Sequence, residues 1–121
     1  MKRYSKEHEW IELDGTNATV GITDHAAAEF GDITFVELPT VDATVAQHDV
    51  LLVIESVKAA ADVYAPVAGT VTAINKELED HPERINESPE ADGWLCRLSG
   101  VDPAQFNALM THDQYLAFIQ K

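Results

Sequence analysis

Asp49-Val50-Leu51-Leu52-Val53-Ile54-Glu55-Ser56-Val57-Lys58-Ala59-Ala60-Ala61-Asp62-Val63-Tyr64-Ala65-Pro66 is the stretch that decides the fold. Val50 to Ile54 is an unbroken apolar run, mostly β-branched, and reads as a buried strand. Asp62 to Val67 is a second short run, closed by Pro66 and the Ala68-Gly69 turn. Small residues from Ser56 to Ala61 surround one long amine between them. The pattern predicts a β-hairpin with Lys58 at or near its tip. No Asn or Gly stands at that tip, and Val57 resists positive φ, so the expected turn is type I rather than type I′.

Lys58 is also chemically isolated. It is the only Lys or Arg between Lys6 and Lys76. The same window holds Glu7, Glu9, Glu12, Asp14, Asp24, Glu29, Asp32, Glu37, Asp42, Asp49, Glu55 and Asp62. The ordinary reading of any lysine is a solvated surface charge. The sharper reading here is a covalent attachment point, because a primary amine on a four-carbon stem can be acylated and then carries its load outward.

Working outward, Trp10 to Leu13, the Asp14-Gly15 turn and Asn17 to Ile22 predict an opening hairpin. Thr23-Asp24 caps a short helix that runs to Phe30 and stops at Gly31. Ile33 to Leu38, Thr70 to Ile74 and Gly93 to Leu98 are further strands. Asn75 to Asn86, interrupted by Pro82, predicts one or two short helical turns. Asp102-Pro103 starts a helix whose apolar face is Phe106, Leu109 and Met110. Thr111-His112-Asp113-Gln114 fits a capping box that opens a last helix bearing Tyr115, Leu116, Phe118 and Ile119. These side chains are expected to dock the tail on the sheet. Asp32-Ile33 before Pro39 and Thr44-Val45 echoes Asp62-Val63 before Pro66 and Thr70-Val71, which suits two similar halves of a flattened barrel or sandwich.

The 121 residues suit one domain with a modest core. We expect a single unit over 1–121, with the hairpin at about 49–67 and a helical segment at about 102–120. A net charge of −13 argues against nucleic acid and anionic membrane as partners and favours basic protein surfaces, besides promoting solubility. Cys96 is alone, which excludes an intramolecular disulfide and a cysteine-based zinc site. Between Leu95 and Leu98 it reads as a small core residue. No segment has the length of a membrane span and no leader is visible, so a cytoplasmic setting is expected. His8, His25, His48, His81 and His112 lack a ligand spacing such as His-Glu-x-x-His, so no metal site is expected. Neither a phosphate-cradling glycine loop nor a Ser-His-Asp set can be assembled, so no catalytic residue is assigned.

Glu55-Ser56-Val57-Lys58-Ala59 followed by Asp62-Val63-Tyr64-Ala65-Pro66 resembles the lipoylation hairpin of the glycine cleavage system H-protein family. The likeness extends through His8-Glu9-Trp10, Ala18 to Ala26, Gly31-Asp32-Ile33 and Phe35-Val36-Glu37-Leu38-Pro39. It continues through Leu78-Glu79-Asp80, Ile85-Asn86-Glu87-Ser88-Pro89 and Asp92-Gly93-Trp94, nearly the whole chain. The resemblance implies a mainly β barrel-sandwich hybrid of the lipoyl/biotinyl-carrier type, with short helices and a C-terminal helical tail. It implies a non-catalytic carrier with lipoate on Lys58 and with Glu55, Ser56, Val57 and Ala59 as the attachment motif. A lipoate-attaching enzyme would load it. The P protein (glycine decarboxylase) would deliver the aminomethyl group of glycine. The T protein (aminomethyltransferase) would pass the one-carbon unit to tetrahydrofolate with release of ammonia, and the L protein (dihydrolipoamide dehydrogenase) would reoxidise the arm. By the same resemblance, Glu9 and Asp62 stand where family members place acids near the loaded arm, and their carboxylates are expected to shield its ammonium group.

Four departures from the family pattern stand out. Asp42 replaces a common turn glycine, and Gln47-His48-Asp49 a more glycine-rich turn; Asp tolerates such conformations. Glu29 stands where some relatives carry His, and Pro89-Glu90-Ala91 lacks a frequent aromatic. Lipoyl domains of 2-oxo acid dehydrogenases usually carry Asp before the lysine, and biotinyl carriers carry Met on both sides; Val57 and Ala59 argue against both. The alternative function is an H-like lipoyl donor or regulatory binding module that does not serve glycine cleavage.

Overall fold

A computed structural model describes residues 1–120. Among these residues, nine strands form two antiparallel sheets. The larger contains β1 (Lys2–Tyr4), β2 (Glu9–Asp14), β3 (Asn17–Ile22), β9 (Cys96–Ser99), β8 (Gly69–Ile74) and β5 (Thr44–Val45), in that order. The smaller has β6 (Val50–Ser56) at its centre, flanked by β4 (Ile33–Glu37) and β7 (Ala60–Tyr64). Ile11, Val20, Val71 and Leu98 from the first sheet and Val36, Leu52, Ile54 and Val63 from the second fill one buried cluster. Their burial removes apolar area from water, at roughly 25 cal/mol per Å²; Leu52 and Ile54 on β6 and Cys96 and Leu98 on β9 show the period-2 spacing of a strand face. The mainly β expectation holds, with the two sheets closing on a shared core.

The two echoing segments meet in the fold. Thr44 pairs with Thr70 and Val45 with Gly69, while Ile33 and Val63 lie in the two strands that flank β6.

The helices follow their caps. In α1 (Asp24–Phe30) the Thr23 hydroxyl accepts from the Ala26 amide, and Gly31 ends the helix at φ 73°, ψ −153°, a region open essentially to glycine alone. The two short turns are α2 (Glu77–Asp80) and α3 (Arg84–Glu87). The capping box at Thr111 and Gln114 opens α5 (His112–Ile119).

Several boundaries differ from the sequence reading. The organising hairpin is tighter: β6 runs to Ser56 and β7 starts at Ala60, because backbone pairing continues through the small residues. The last strand begins at Cys96; the Leu95 amide and carbonyl instead bond Val20 and Asn75. Helix α4 (Pro103–Asn107) ends before Leu109 and Met110. Met110 exchanges two 2.9 Å backbone bonds with Tyr4, which straightens the chain into the Thr111 cap. On α5, Tyr115 is buried and stacks on Tyr4 at 4.9 Å, and Phe118 and Ile119 join that cluster, but Leu116 faces solvent. Asp42 and His48 both adopt left-handed φ, 76° and 73°, a conformation that glycine takes without penalty and that Asp tolerates in turns. No helix among the described residues is long and apolar enough to cross a membrane.

Candidate functional site

The hairpin tip is built by Ser56. Its backbone amide donates to the Ala59 carbonyl at 2.8 Å. Its hydroxyl accepts from the amides of Lys58 and Ala59, both at 3.2 Å. A turn without glycine leaves these amides facing outward, and the hydroxyl satisfies them locally. The described non-glycine residues with positive φ are His8, Asp42 and His48, so the tip avoids the type I′ geometry, as Val57 requires.

The tip is also tied down from outside. The Val57 amide donates to the Asp32 carbonyl at 3.1 Å. The loop carrying Asp32 is itself clamped by Asn86. The Asn86 side-chain amide donates to the Gly31 carbonyl at 2.7 Å, and its oxygen accepts from the Ile33 amide at 2.9 Å. Helix α3 therefore holds the segment against which the hairpin leans.

Lys58 and Val57 are exposed. Lys58 forms no ion pair among the described residues despite the acidic surroundings. Its stem folds back over Gly31: a Cβ at Gly31 would lie 3.0 Å from Lys58 Cε. Beside it opens a cavity of about 350 Å³, whose wall includes Lys58, Ser56, Ala59, Glu9, Asp62 and apolar Phe30. Both acids singled out from sequence thus line the cavity that Lys58 borders. Of the attachment motif, Ser56 and Ala59 also line it, whereas Glu55 belongs to the β6 pairing with Ala60 and Phe35.

The two acids differ in state. Asp62 is exposed on β7. Glu9 is 2 % exposed, and the Ser5 hydroxyl donates to its Oε1 at 2.6 Å. Burial pushes its carboxyl up to about 7; the Ser5 hydrogen bond opposes the rise and nearby Glu7 reinforces it. Glu9 is therefore poised between acid and carboxylate near neutral pH. A cation entering the cavity would draw it to the carboxylate form, which an ordinary surface glutamate could not signal.

The family sequence model described as Glycine cleavage H-protein matches residues 2–121. The chain belongs to that family. It is 52 % identical over 117 residues to the glycine cleavage system H protein of Acidiphilium cryptum, covering 97 % of this chain and 94 % of the relative. It is 44 % identical over 120 residues to the putative mitochondrial glycine cleavage system H protein of Schizosaccharomyces pombe, covering 99 % and 71 %. Its structure superposes on the crystal structure of the glycine cleavage system H protein from Mycobacterium marinum with a TM-score of 0.89 at 30 % identity, covering 99 % and 97 % of the two chains.

Two further contacts of this H-protein family member involve Glu90 and Glu29. Glu90 gathers the N-terminal strand: it pairs with Lys2 at 2.9 Å and accepts from the Tyr4 hydroxyl and the Asp24 amide. The Lys2 ammonium also lies over the Trp10 ring. Glu29 pairs with His25 at 2.9 Å, one helical turn away. Sequence reasoning missed two things. Asn86 stands in sequence only as part of the Ile85-Asn86-Glu87-Ser88-Pro89 motif, and nothing in its spacing reveals the clamp. The spacing of the histidines concealed that His8, His25 and Glu29 converge, with donor atoms all within 4.8 Å of one another.

Proposed function

We propose that Lys58 is the lipoyl-lysine of a glycine cleavage carrier, its Nζ condensed with the lipoate carboxyl in an amide. Family membership supports this reading, and the observation that carries it is the exposed, unpaired Lys58 at a glycine-free hairpin tip, bordering an acid-bearing cavity. The residues present fit the group: the cavity is large enough for a short aliphatic arm, its wall mixes apolar side chains with carboxyl groups, and no side chain pins the amine.

When bound at Lys58, lipoate would supply a dithiolane able to carry an aminomethyl group between the P and T proteins and to undergo reoxidation at the L protein. The chain's own residues orient and protect. Ser56 and the Asp32 carbonyl hold the tip so that Lys58 projects at a fixed register. Glu55, Val57 and Ala59 complete the shape offered to a lipoate-attaching enzyme. Glu9 and Asp62 face an ammonium group with negative charge, and the apolar part of the wall excludes water from it. The difficult bond changes belong to the cofactor and the partner enzymes, so the chain is a carrier without turnover of its own. The acidic surface suits docking on basic faces of those partners. We read residues 1–121 as one carrier domain working in the cytoplasm.

Peptide mass spectrometry on protein from its own source tests the attachment: a lipoyl increment on the Lys58 peptide is expected. Reconstitution with purified P, T and L proteins then tests the pathway. Failure of a lipoate ligase to modify Lys58 would refute the acceptor reading, and lipoylated protein inert in reconstitution would refute the glycine cleavage role. Glu9→Ala or Asp62→Ala should leave lipoylation intact and speed loss of the aminomethyl group; unchanged loss in both would remove the shielding role.

A further inference from the structure

The fold gathers three potential ligands that the sequence scatters. His8 stands in the turn between β1 and β2 at φ 69°, an uncommon conformation for a side-chain-bearing residue. His25 and Glu29 project from successive turns of α1, with His25 Nε2 2.9 Å from Glu29 Oε1. The two imidazole centroids are 4.8 Å apart. One donor atom from each residue lies within 4.8 Å of the other two.

A supporting layer stands behind them. His8 Nδ1 is 2.8 Å from the Tyr115 hydroxyl, which is 2.7 Å from the Thr23 hydroxyl. Thr23 is in turn the cap of α1, the helix that bears the other two ligands. With Nδ1 engaged, the free donor of His8 is Nε2. Metal-ligating histidines are held in this way, by a hydrogen bond at the other ring nitrogen that fixes tautomer and orientation.

We propose that His8, His25 and Glu29 form a binding site for a borderline divalent transition-metal cation such as Zn²⁺. Two imidazoles and one carboxylate are the donor set such ions favour, and Mg²⁺ and Ca²⁺ are disfavoured because they seek oxygen-rich sites. Donors around one bound ion stand about 3.3 Å apart for metal–nitrogen bonds near 2.05 Å. His25 and Glu29 are accessible enough on α1 to close the difference by side-chain rotation. Three protein ligands leave at least one coordination position open. Because His8 and Glu29 also line the cavity beside Lys58, the metal would sit on the wall of that cavity. The site rests on geometry alone and does not require Lys58 to be modified.

The test is calorimetric titration of the full, unmodified chain with ZnCl₂ near pH 7.5 in a non-chelating buffer, followed by imidazole ¹H–¹⁵N spectra. One equivalent should bind, with the ring signals of His8 and His25 shifting and those of His48, His81 and His112 unmoved. His25→Ala and Glu29→Gln, both at accessible positions, should each weaken binding at least tenfold, and MgCl₂ should give no saturable heat. Absence of saturable zinc binding, unchanged affinity in both variants, equal binding of Mg²⁺, or shifts confined to the other histidines would each overturn the proposal.

Discussion

The side chain of Lys58 lies across Gly31, so that a Cβ added there would meet Lys58 Cε at 3.0 Å. Gly31 is also held at φ 73°, ψ −153°. The first constraint involves the end of a flexible stem and can be relieved; the second cannot. Gly31→Ala should therefore cost roughly 1–3 kcal/mol through the backbone. Urea unfolding checks this, and adding Lys58→Ala should restore little. Full restoration would show that the side-chain contact dominates.

Register should govern loading. Exchanging neighbours, as in Val57→Lys with Lys58→Val, turns the amine to another direction while leaving composition unchanged. An in vitro lipoylation assay should show loss of modification, without loss of the folded state.

Glu9 links stability to pH. Its folded carboxyl titrates near 7 against an ordinary value of 4.5, so the folded state holds the proton more tightly. That contribution is greatest below about pH 4.5 and is lost as pH rises through 7. The loss is on the order of 3 kcal/mol for a shift of that size. Glu9→Gln stays neutral throughout. The gap in melting temperature between variant and parent should therefore widen in the variant's favour from pH 5 to pH 8.

Asn86→Ala removes both bonds of the clamp on Gly31 and Ile33. These are partly solvated, so the global cost should be modest, about 1–2 kcal/mol. The local signature is sharper: hydrogen exchange at the Ile33 and Val57 amides should accelerate more than exchange in β2 and β3.

Cys96 is buried, and burial pushes its thiol up to about 12. Iodoacetamide at pH 8 should label it only after denaturation, since the thiolate is the reactive form. Rapid labelling of the folded protein would contradict its place in the core.

Local signals determined much of this protein. The β-branched run before Lys58, the Thr23 and Thr111 caps, the Gly31 stop and the Asp14-Gly15 turn act within a few residues, and each appears where the sequence puts it. Lys58, alone among small residues at the tip of its hairpin, is legible for the same reason: its immediate neighbours mark it out. Tertiary structure decided what depends on distant partners. Burial of Glu9 between sheet and hairpin changes its proton affinity; Asn86 reaches across 55 residues to Gly31; Met110 leaves its helix to pair with Tyr4. The meeting of His8 with His25 and Glu29 belongs to the same class. Each requires the desolvation or convergence that only the closed sheets supply, and no spacing along the chain encodes it.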